Sequence, residues 1–470
     1  MKRILTFVVL MLLCCIAVAQ DWANLGRFSD ADAVLAARPV KSRVVFMGNS
    51  ITENWIKYHH EFFDRYGFIS RGISGQTTPQ MLIRFRRDVV DAGASTVVIL
   101  AGTNDIAGNT GDSTPEMILD NVKGMCEIAR ANGIRVVLCS LLPAHRYYWK
   151  SAQDKHPEIV VPQYNSMLKA YADAENITFV DFFSPMVDPD PDNLNGLPEK
   201  YSKDGIHPTP EGYRVMEEIL LKALAKEVKA AGRALEGRTL TLMSYNIRSG
   251  SGMDRRRRYD RVAAIISDCH PDAVAVQEVD SLTARTDRHD VLGDIARRTG
   301  LYGTFAPAID YDGGKYGVGI LSREKPLRTA AVALPGREER RTLLMAEFSG
   351  YVYCCTHLSL TEEDRLSSVD LIGKAVAKFA EGMSTDKPVY IAGDWNDSPD
   401  SEFMEKMKEK FEILSDMSIP TFPSDSPRST IDYIARWKGN GLAMGSGKVP
   451  DTYVPCSSMA SDHRPVVVIL

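Results

Sequence analysis

Ser50 stands in Gly48-Asn49-Ser50-Ile51-Thr52, directly behind the apolar run Arg43 to Gly48. A hydroxyl where a buried strand turns into a helix sits on the carboxyl edge of an α/β sheet, where ligands gather, and becomes a nucleophile once a base is near. A serine there can equally be a helix cap, so three further blocks decide. Arg71-Gly72-Ile73-Ser74-Gly75 is a glycine loop whose backbone N–H groups can approach a ligand, and Gly102-Thr103-Asn104-Asp105 puts a side-chain amide just past another apolar run. Both can donate to a developing oxyanion. Asp204-Gly205-Ile206-His207-Pro208 sets an acid three residues before a histidine, so that Asp204 can orient His207 as general base. Trp55, Tyr147, Tyr148 and Trp149 are candidates for an acyl or sugar pocket, although aromatic side chains more often fill the core.

The second half carries a different set. Asn246, Glu278 and His357 each close an apolar run, followed by Gly393-Asp394-Trp395-Asn396-Asp397, Ile431-Asp432-Tyr433 and Ser461-Asp462-His463-Arg464-Pro465. One strand-end carboxylate is usually a turn residue. A whole series of polar strand ends in order points instead to a hydrolysed phosphoester, which needs a hard divalent cation on few carboxylates, a base for water, and donors for the developing charge. Arg255 to Arg258, Arg285, Arg288, Arg340 and Arg341 are candidate phosphate contacts; a solvated loop is the plainer account of the first run.

The elements that must position these groups fall into two domains, as 470 residues lead one to expect. Up to about residue 230, the runs Arg43 to Gly48, Thr96 to Gly102, Arg135 to Leu141 and Thr178 to Asp181 read as buried strands between helices such as Glu116 to Ala131. That alternation predicts an α/β three-layer sandwich with a parallel sheet. Its last helix, Pro210 to Ala230, runs into a small-residue stretch, so the domains are expected at 20–231 and 238–470, with a linker at 232–237. Beyond it, Thr239 to Asn246, Ala273 to Glu278, Tyr316 to Ser322, Thr342 to Phe348, Tyr351 to His357, Val389 to Asp394, Ile431 to Ala435 and Pro465 to Leu470 read as strands with fewer helices between them. Hairpin-like neighbours predict mostly antiparallel pairing, hence an α+β two-sheet sandwich.

The four blocks of the first half, in order over about 200 residues, resemble the GDSL, or SGNH, hydrolase family. The resemblance implies an SGNH, flavodoxin-like fold and acyl-ester hydrolysis without a cofactor. Its roles would be Ser50 as nucleophile, the Ser50 and Gly75 amides with the Asn104 side chain as oxyanion hole, and His207 with Asp204 as base and orienter. Asn49 departs from the family's aspartate before the serine. The second half is similar to the endonuclease/exonuclease/phosphatase superfamily, which implies a four-layer, deoxyribonuclease-I-like sandwich. There Glu278, helped by Asn246, would hold Mg2+ (or Mn2+), with Asp462 close by. Asp394 would position or deprotonate the attacking water, Asn396 and His357 would hold phosphate oxygens, and His463, oriented by Asp432, would stabilise the transition state.

Composition bounds the rest. With 44% hydrophobic and 25% charged residues the chain can fill real cores, and disordered, collagen-like and coiled-coil classes are excluded. Against 56 Lys and Arg stand 61 Asp and Glu, a net charge of -5, and neither half is basic. The chain as a whole therefore does not attract nucleic acid, and a small-molecule, glycan or lipid ester substrate is favoured over a nucleic acid. The complete sets of catalytic residue types in both halves argue against a purely binding role. Lys2, Arg3, an apolar run to Val18 and Ala17-Val18-Ala19 form a signal-peptide pattern over residues 1–19. Export to periplasm or medium is expected, with no membrane span. Cys14 and Cys15 lack the small residue that lipid attachment would require before them, and the other cysteines (126, 139, 269, 354, 355 and 456) read as buried thiols.

Overall fold

The computed structural model describes residues 21–37, 43–235, 240–383, 387–439, 450–455 and 459–470. The expected signal peptide and Cys456 lie outside the described residues.

The front domain runs through α1 (Ser29–Ala37), β1 (Arg43–Gly48), α2 (Ser50–Tyr58), β2 (Ile69–Gly72), α3 (Thr78–Phe85), β3 (Ala94–Leu100), α4 (Pro115–Ala131), β4 (Arg135–Cys139), α5 (Pro157–Ala174), β5 (Thr178–Val180), α6 (Pro210–Ala223) and α7 (Ala225–Leu235). Its five strands are all parallel, in the order β2-β1-β3-β4-β5. Both faces are covered, which is why Val44, Val45, Phe46 and Met47 form a continuous apolar run. The strand order turns back at β1, so the ends of β1 and β3 flank the crevice where ligands bind in such sheets. Strand β2 was not foreseen: only four residues long, with Ser70 and Arg71 among them, it shows no apolar run. The expected last helix breaks at Leu224, and α7 continues to Leu235 through most of the expected linker. Its sequence, Ala225-Lys-Glu-Val-Lys-Ala-Ala-Gly-Arg-Ala-Leu235, is rich in helix formers, which carry one glycine.

The rear domain contains β6 (Thr241–Asn246), α8 (Tyr259–Cys269), β7 (Ala273–Ser281), α9 (Val291–Thr299), β8 (Tyr302–Tyr311), β9 (Gly314–Ser322), β10 (Arg328–Leu334), β11 (Arg341–Glu347), β12 (Val352–His357), α10 (Glu362–Glu381), β13 (Val389–Asp394), α11 (Glu402–Lys410), β14 (Phe411–Ile413), β15 (Asp432–Trp437), β16 (Asp451–Tyr453) and β17 (Val466–Ile469). Two six-stranded sheets form, ordered β10-β11-β12-β13-β15-β14 and β16-β17-β6-β7-β9-β8. Pairing is antiparallel except at β6/β7 and β12/β13. Leu242, Ala275, Ile320, Leu344, Tyr353 and Ile434 fill the space between the sheets. Met243, Tyr245, Val262, Ile266 and Val291 pack one sheet under α8 and α9, while Met345, Val369, Ile372 and Phe403 pack the other under α10 and α11. The layering is therefore helix, sheet, sheet, helix, and central strands are buried on both faces. Strands β8, β10, β14 and β16 escaped the sequence reading because they lie at or next to sheet edges, are short, or alternate in burial.

Candidate active sites

In the front domain, register places the chemistry. Gly48 pairs with both Gly72 and Leu100, so the blocks after β1, β2 and β3 leave the sheet side by side. The two glycines are required by close approach: a Cβ on Gly72 would lie 2.3 Å from the Glu53 amide nitrogen, and one on Gly48 3.0 Å from Leu100 O. Helix α2 is thereby seated directly on the strand ends, with Ser50 at its first turn and Asn49 Oδ1 accepting from Ile51 N at 3.0 Å. A carboxamide caps as an aspartate would.

His207 reaches this serine across the fold, its Nε2 2.9 Å from Ser50 Oγ. Asp204 Oδ2 lies 2.7 Å from His207 Nδ1, while its Oδ1 accepts from the amides of Ile206 and His207 at 2.9 and 2.8 Å. Burial pushes the Asp204 carboxyl up, but the hydrogen bonds from His207 and Ile206 outweigh it and hold the group below its ordinary value. An ionised carboxylate can only accept, so Nδ1 donates to Asp204 and Nε2 is left facing Ser50 to take its proton. The Tyr213 hydroxyl donates to Ile51 O at 2.8 Å and ties α6, which follows the histidine, to α2.

Gly75 takes the third place of a tight turn closed by Gln76 N to Ile73 O at 3.3 Å, and its φ of +79° is the left-handed value that a type II turn demands there. The Asn104 side chain donates to Gln76 O at 2.9 Å, which fixes it beside this turn. Beneath them lies a buried polar support that the sequence did not announce. Arg84 Nε donates to Gln76 Oε1 at 2.5 Å and its Nη2 to Gly48 O at 3.0 Å; Asp105 accepts from Thr78 N at 2.9 Å and Thr78 Oγ1 at 2.5 Å. Trp55 and Tyr147 are not pocket walls. Trp55 stacks between Phe62 and Tyr213 and donates to Glu217 at 2.8 Å, and Tyr147 is buried with its hydroxyl on Thr103 O at 3.0 Å. Tyr148 is exposed and Trp149 half-buried.

In the rear domain the named side chains converge at the ends of β6, β7, β12, β13 and β15. The Asn246 amide donates to Glu278 Oε1 at 2.9 Å and Asp394 Oδ2 at 3.0 Å, bridging carboxylates from two different sheets. Glu278 has φ +55° and sits in a bulge between Val276 and Val279 that turns its side chain towards this cleft. Asp394 Oδ2 also lies 3.5 Å from His357 Nε2 and 3.6 Å from His463 Nε2. Asp432 Oδ2 holds His463 Nδ1 at 2.9 Å and accepts from Thr421 Oγ1 at 2.6 Å. Asn396 donates its backbone N–H to Asp394 Oδ1 and its side chain to Leu358 O, both at 3.0 Å. Asp462 pairs with Arg248 at 3.3 Å.

The electrostatics follow from burial and charge. Burial, aided by the neighbouring Asp432, lifts the Asp394 carboxyl to about 7 against the pull of His463. Burial, aided by Asp462, likewise raises Glu278. On His463 burial works against the charge, but Asp432 and Asp394 prevail and lift it to about 10. Burial, with the Arg341 charge, holds His357 well below its ordinary value, and that ring is neutral. The compact set of possible metal ligands among the described residues is Asp394, Asp432 and His463, whose ligand atoms lie within 4.8 Å of one another. It overlaps the expected site without including Glu278, Asn246 or Asp462.

Of the candidate cationic contacts, Arg255 to Arg257 are exposed and Arg258 pairs with Asp260 at 2.7 Å. Arg285 is bound to Asp280 at 2.7 Å and lies over Tyr311 and Tyr316; Arg341 is buried and held by Glu338 and Glu339. Internal salt bridges thus occupy Arg258, Arg285 and Arg341 among the expected phosphate contacts.

Two hydrolase-type domains are therefore joined in one chain. Residues 46–215 match the GDSL-like Lipase/Acylhydrolase family and residues 243–463 match the Endonuclease/Exonuclease/phosphatase family. A GDSL-like lipase from Bacteroides thetaiotaomicron is 44% identical over 43% of this chain and 98% of its own, with a TM-score of 0.41. For the rear domain, an endonuclease/exonuclease/phosphatase family protein and a mannosyl-6-phosphatase, both from the same organism, are each 18% identical over 49% of this chain. They are covered to 94% and 100% of their own length, with TM-scores of 0.39 and 0.38. No curated protein matches the chain.

Proposed function

We propose that the chain is an exported bifunctional hydrolase, a serine acyl-esterase joined to a Mg2+-dependent phosphoesterase. The observation that carries the first activity is the unbroken relay from Ser50 Oγ through His207 to Asp204, at 2.9 and 2.7 Å. Ser50 Oγ attacks the ester carbonyl while His207 Nε2 takes its proton. The Ser50 and Gly75 amides and the Asn104 side chain receive the negative charge on the carbonyl oxygen. His207 then returns the proton to the leaving alkoxide, and a water repeats the sequence on the acyl-serine, with His207 again as base. The fixed Nδ1 proton makes this direction of transfer the easy one.

For the second activity, the donor set suits a hard cation: Glu278 and Asp394 are buried, raised carboxylates bridged by a neutral amide, and added positive charge relieves both. Glu278, Asn246 and Asp462 would hold Mg2+, which when bound polarises the phosphoryl group and neutralises its charge. Asp394 takes the proton of the attacking water. His463, kept cationic by Asp432, faces the same carboxylate and offsets charge developing on the phosphate oxygens, while His357, neutral, holds one of them as a hydrogen-bond donor. Asn396 contributes through its remaining amide hydrogen.

The acidic balance of the chain favours a small or lipid phosphodiester over a nucleic acid. Joining the two activities fits a single substrate bearing both acyl and phosphate esters, since tethering raises the concentration of the second site around the first product. The amino-terminal pattern supports export. The deciding assay measures turnover of p-nitrophenyl acetate and bis-p-nitrophenyl phosphate with and without chelator. Ester turnover that survives chelation, and phosphodiester turnover that does not, is the expected result. Inactivity on both over pH 6–9 would leave a binding role, and Asp394-dependent plasmid nicking would make the rear domain a nuclease. N-terminal sequencing of exported protein checks cleavage before Gln20.

A further inference from the structure

The oxyanion loop of the esterase rests on the other domain. Ser74, next to Gly75, donates both its amide and its hydroxyl to Glu53 Oε2, at 2.7 and 2.5 Å. The other oxygen of Glu53 lies 3.5 Å from Arg27, whose opposite guanidinium nitrogen donates to Asp260 at the start of α8 in the rear domain. Among the described residues, Lys57, also 3.5 Å from Glu53, is the one further cation on this carboxylate. Arg71, at the root of the same loop, is wholly buried over the Phe28 ring, and its Nη2 divides between Asp32 of α1 and Asp268 near the end of α8, at 3.0 Å each. Phe28, Ala31 and Ile73 pack on Ala264 between these two acids, and Val34 enters the rear domain's own apolar cluster. Asp260 and Asp268 are eight residues apart, about 12 Å along a helix. They therefore grip the loop at both ends, one through Glu53 and Ser74, the other through Arg71.

We propose that Asp260 and Asp268 are positioning residues for the front esterase, and that helix α8 of the rear domain sets the oxyanion loop in its working geometry. The physical reason lies in the cost of a buried, half-compensated charge. Arg71 cannot lose its proton, so without Asp268 it must draw on Asp32, the more distant Asp88 charge and the Ser70 carbonyl, or shift, and it carries Gly72 to Gly75 with it. Oxyanion donors act at about 2.7–3.1 Å from the developing charge, so a small displacement of the Gly75 amide is felt in the chemical step and not in substrate affinity. Fusion of the two domains then tunes the first activity as well as bringing two activities together.

The kinetic arm of the test rests on the esterase proposed above; an exchange arm does not. In the full chain, Asp260→Asn, Asp268→Asn and Asp268→Glu are compared with wild type by kcat and KM on p-nitrophenyl acetate, turnover of bis-p-nitrophenyl phosphate, and amide hydrogen exchange of the peptide spanning residues 72–77. The expected result for Asp268→Asn is a fall of about tenfold in ester kcat, with KM and phosphodiester turnover within about twofold of wild type. Loop exchange becomes faster, and Asp268→Glu recovers most of both losses. Asp260→Asn gives the same pattern more weakly, because its route passes through two ion pairs. Unchanged exchange of the loop peptide in both Asn variants overturns the proposal whatever the kinetics. Parallel loss of both activities without rescue by Asp268→Glu also overturns it, since that marks a general weakening of the fold. If wild type has no ester turnover, the esterase assignment fails and the exchange arm still decides whether α8 orders the loop.

Discussion

Ser50 Oγ lies 2.9 Å from His207 Nε2 although 157 residues separate the two in the chain. Glycines at 48 and 72, which let α2 sit on the strand ends, and the Tyr213 hydroxyl on Ile51 O produce this meeting. Neither side chain can act without the other. Ser50→Ala and His207→Ala are each expected to lower kcat for p-nitrophenyl acetate by at least about 10^3-fold, and the double variant by scarcely more. Additive losses would show that the two groups work separately. Turnover of bis-p-nitrophenyl phosphate should be the same in all three.

The rear site calls for the complementary result. Asp394 collects Asn246, His357, His463 and the Asn396 amide around one carboxylate. Asp394→Ala should therefore abolish phosphodiester turnover, by about 10^3-fold or more, and leave ester hydrolysis within about twofold. Chelation followed by added Mg2+ should remove and restore the same activity in wild type. Asp432→Asn weakens the hold on the His463 proton and removes a charge that helps to raise Asp394, and is expected to lower kcat more at pH 9 than at pH 6, measured as a pH profile.

How much of this was legible in the sequence depended on whether the signal was local. Asp204 and His207 are three residues apart in one loop, and their pairing follows from spacing; Asn49 to Thr52 offers a serine turn that the three other blocks turn into a nucleophile. The polar ends of β6, β7, β12 and β13 were visible because each interrupts an apolar run. What escaped acts across the chain: the bulge that aims Glu278, the Arg84 and Gln76 support beneath the oxyanion turn, and the Arg71 to Asp268 pair between domains. Charged residues in sequence give no sign of which opposite charge they will meet. For the same reason Arg285 and Arg341 read as phosphate contacts although Asp280 and the 338–339 glutamates bind them.

Asp105 provides a dependence on pH with a definite sign. Burial pushes its carboxyl up to about 6, against the hydrogen bonds from Thr78, so the folded chain holds this proton more tightly than the unfolded chain does. Its contribution to stability is thus complete below the ordinary value near 3.8 and is lost as pH rises through about 6. The amount is at most about 2–3 kcal/mol, on the order of 5 °C in Tm for a domain of this size. Asp105→Asn keeps the shape and removes the titration. Melting curves at pH 4 to 7 should show the advantage of wild type over the variant shrinking as pH rises; a constant difference would refute the assignment.

Gly72 separates packing from catalysis at the same loop. Its φ is ordinary, and the constraint is space: a methyl group there would lie 2.3 Å from Glu53 N and 2.9 Å from Asn49 O, both backbone atoms of the serine turn. Neither can swing aside as a side chain would, so Gly72→Ala must part β2 from α2. The expected cost is about 1–3 kcal/mol of front-domain stability. Ester kcat should fall by more than that loss alone explains, because the shift lies between Ser50 and Gly75. Measured at a temperature where the variant remains fully folded by circular dichroism, the residual ester activity decides the matter. Full activity in a folded Gly72→Ala variant would mean that the glycine serves only to close the sheet against α2, whereas a folded and impaired variant ties the spacing of β2 and α2 to the geometry of the oxyanion hole.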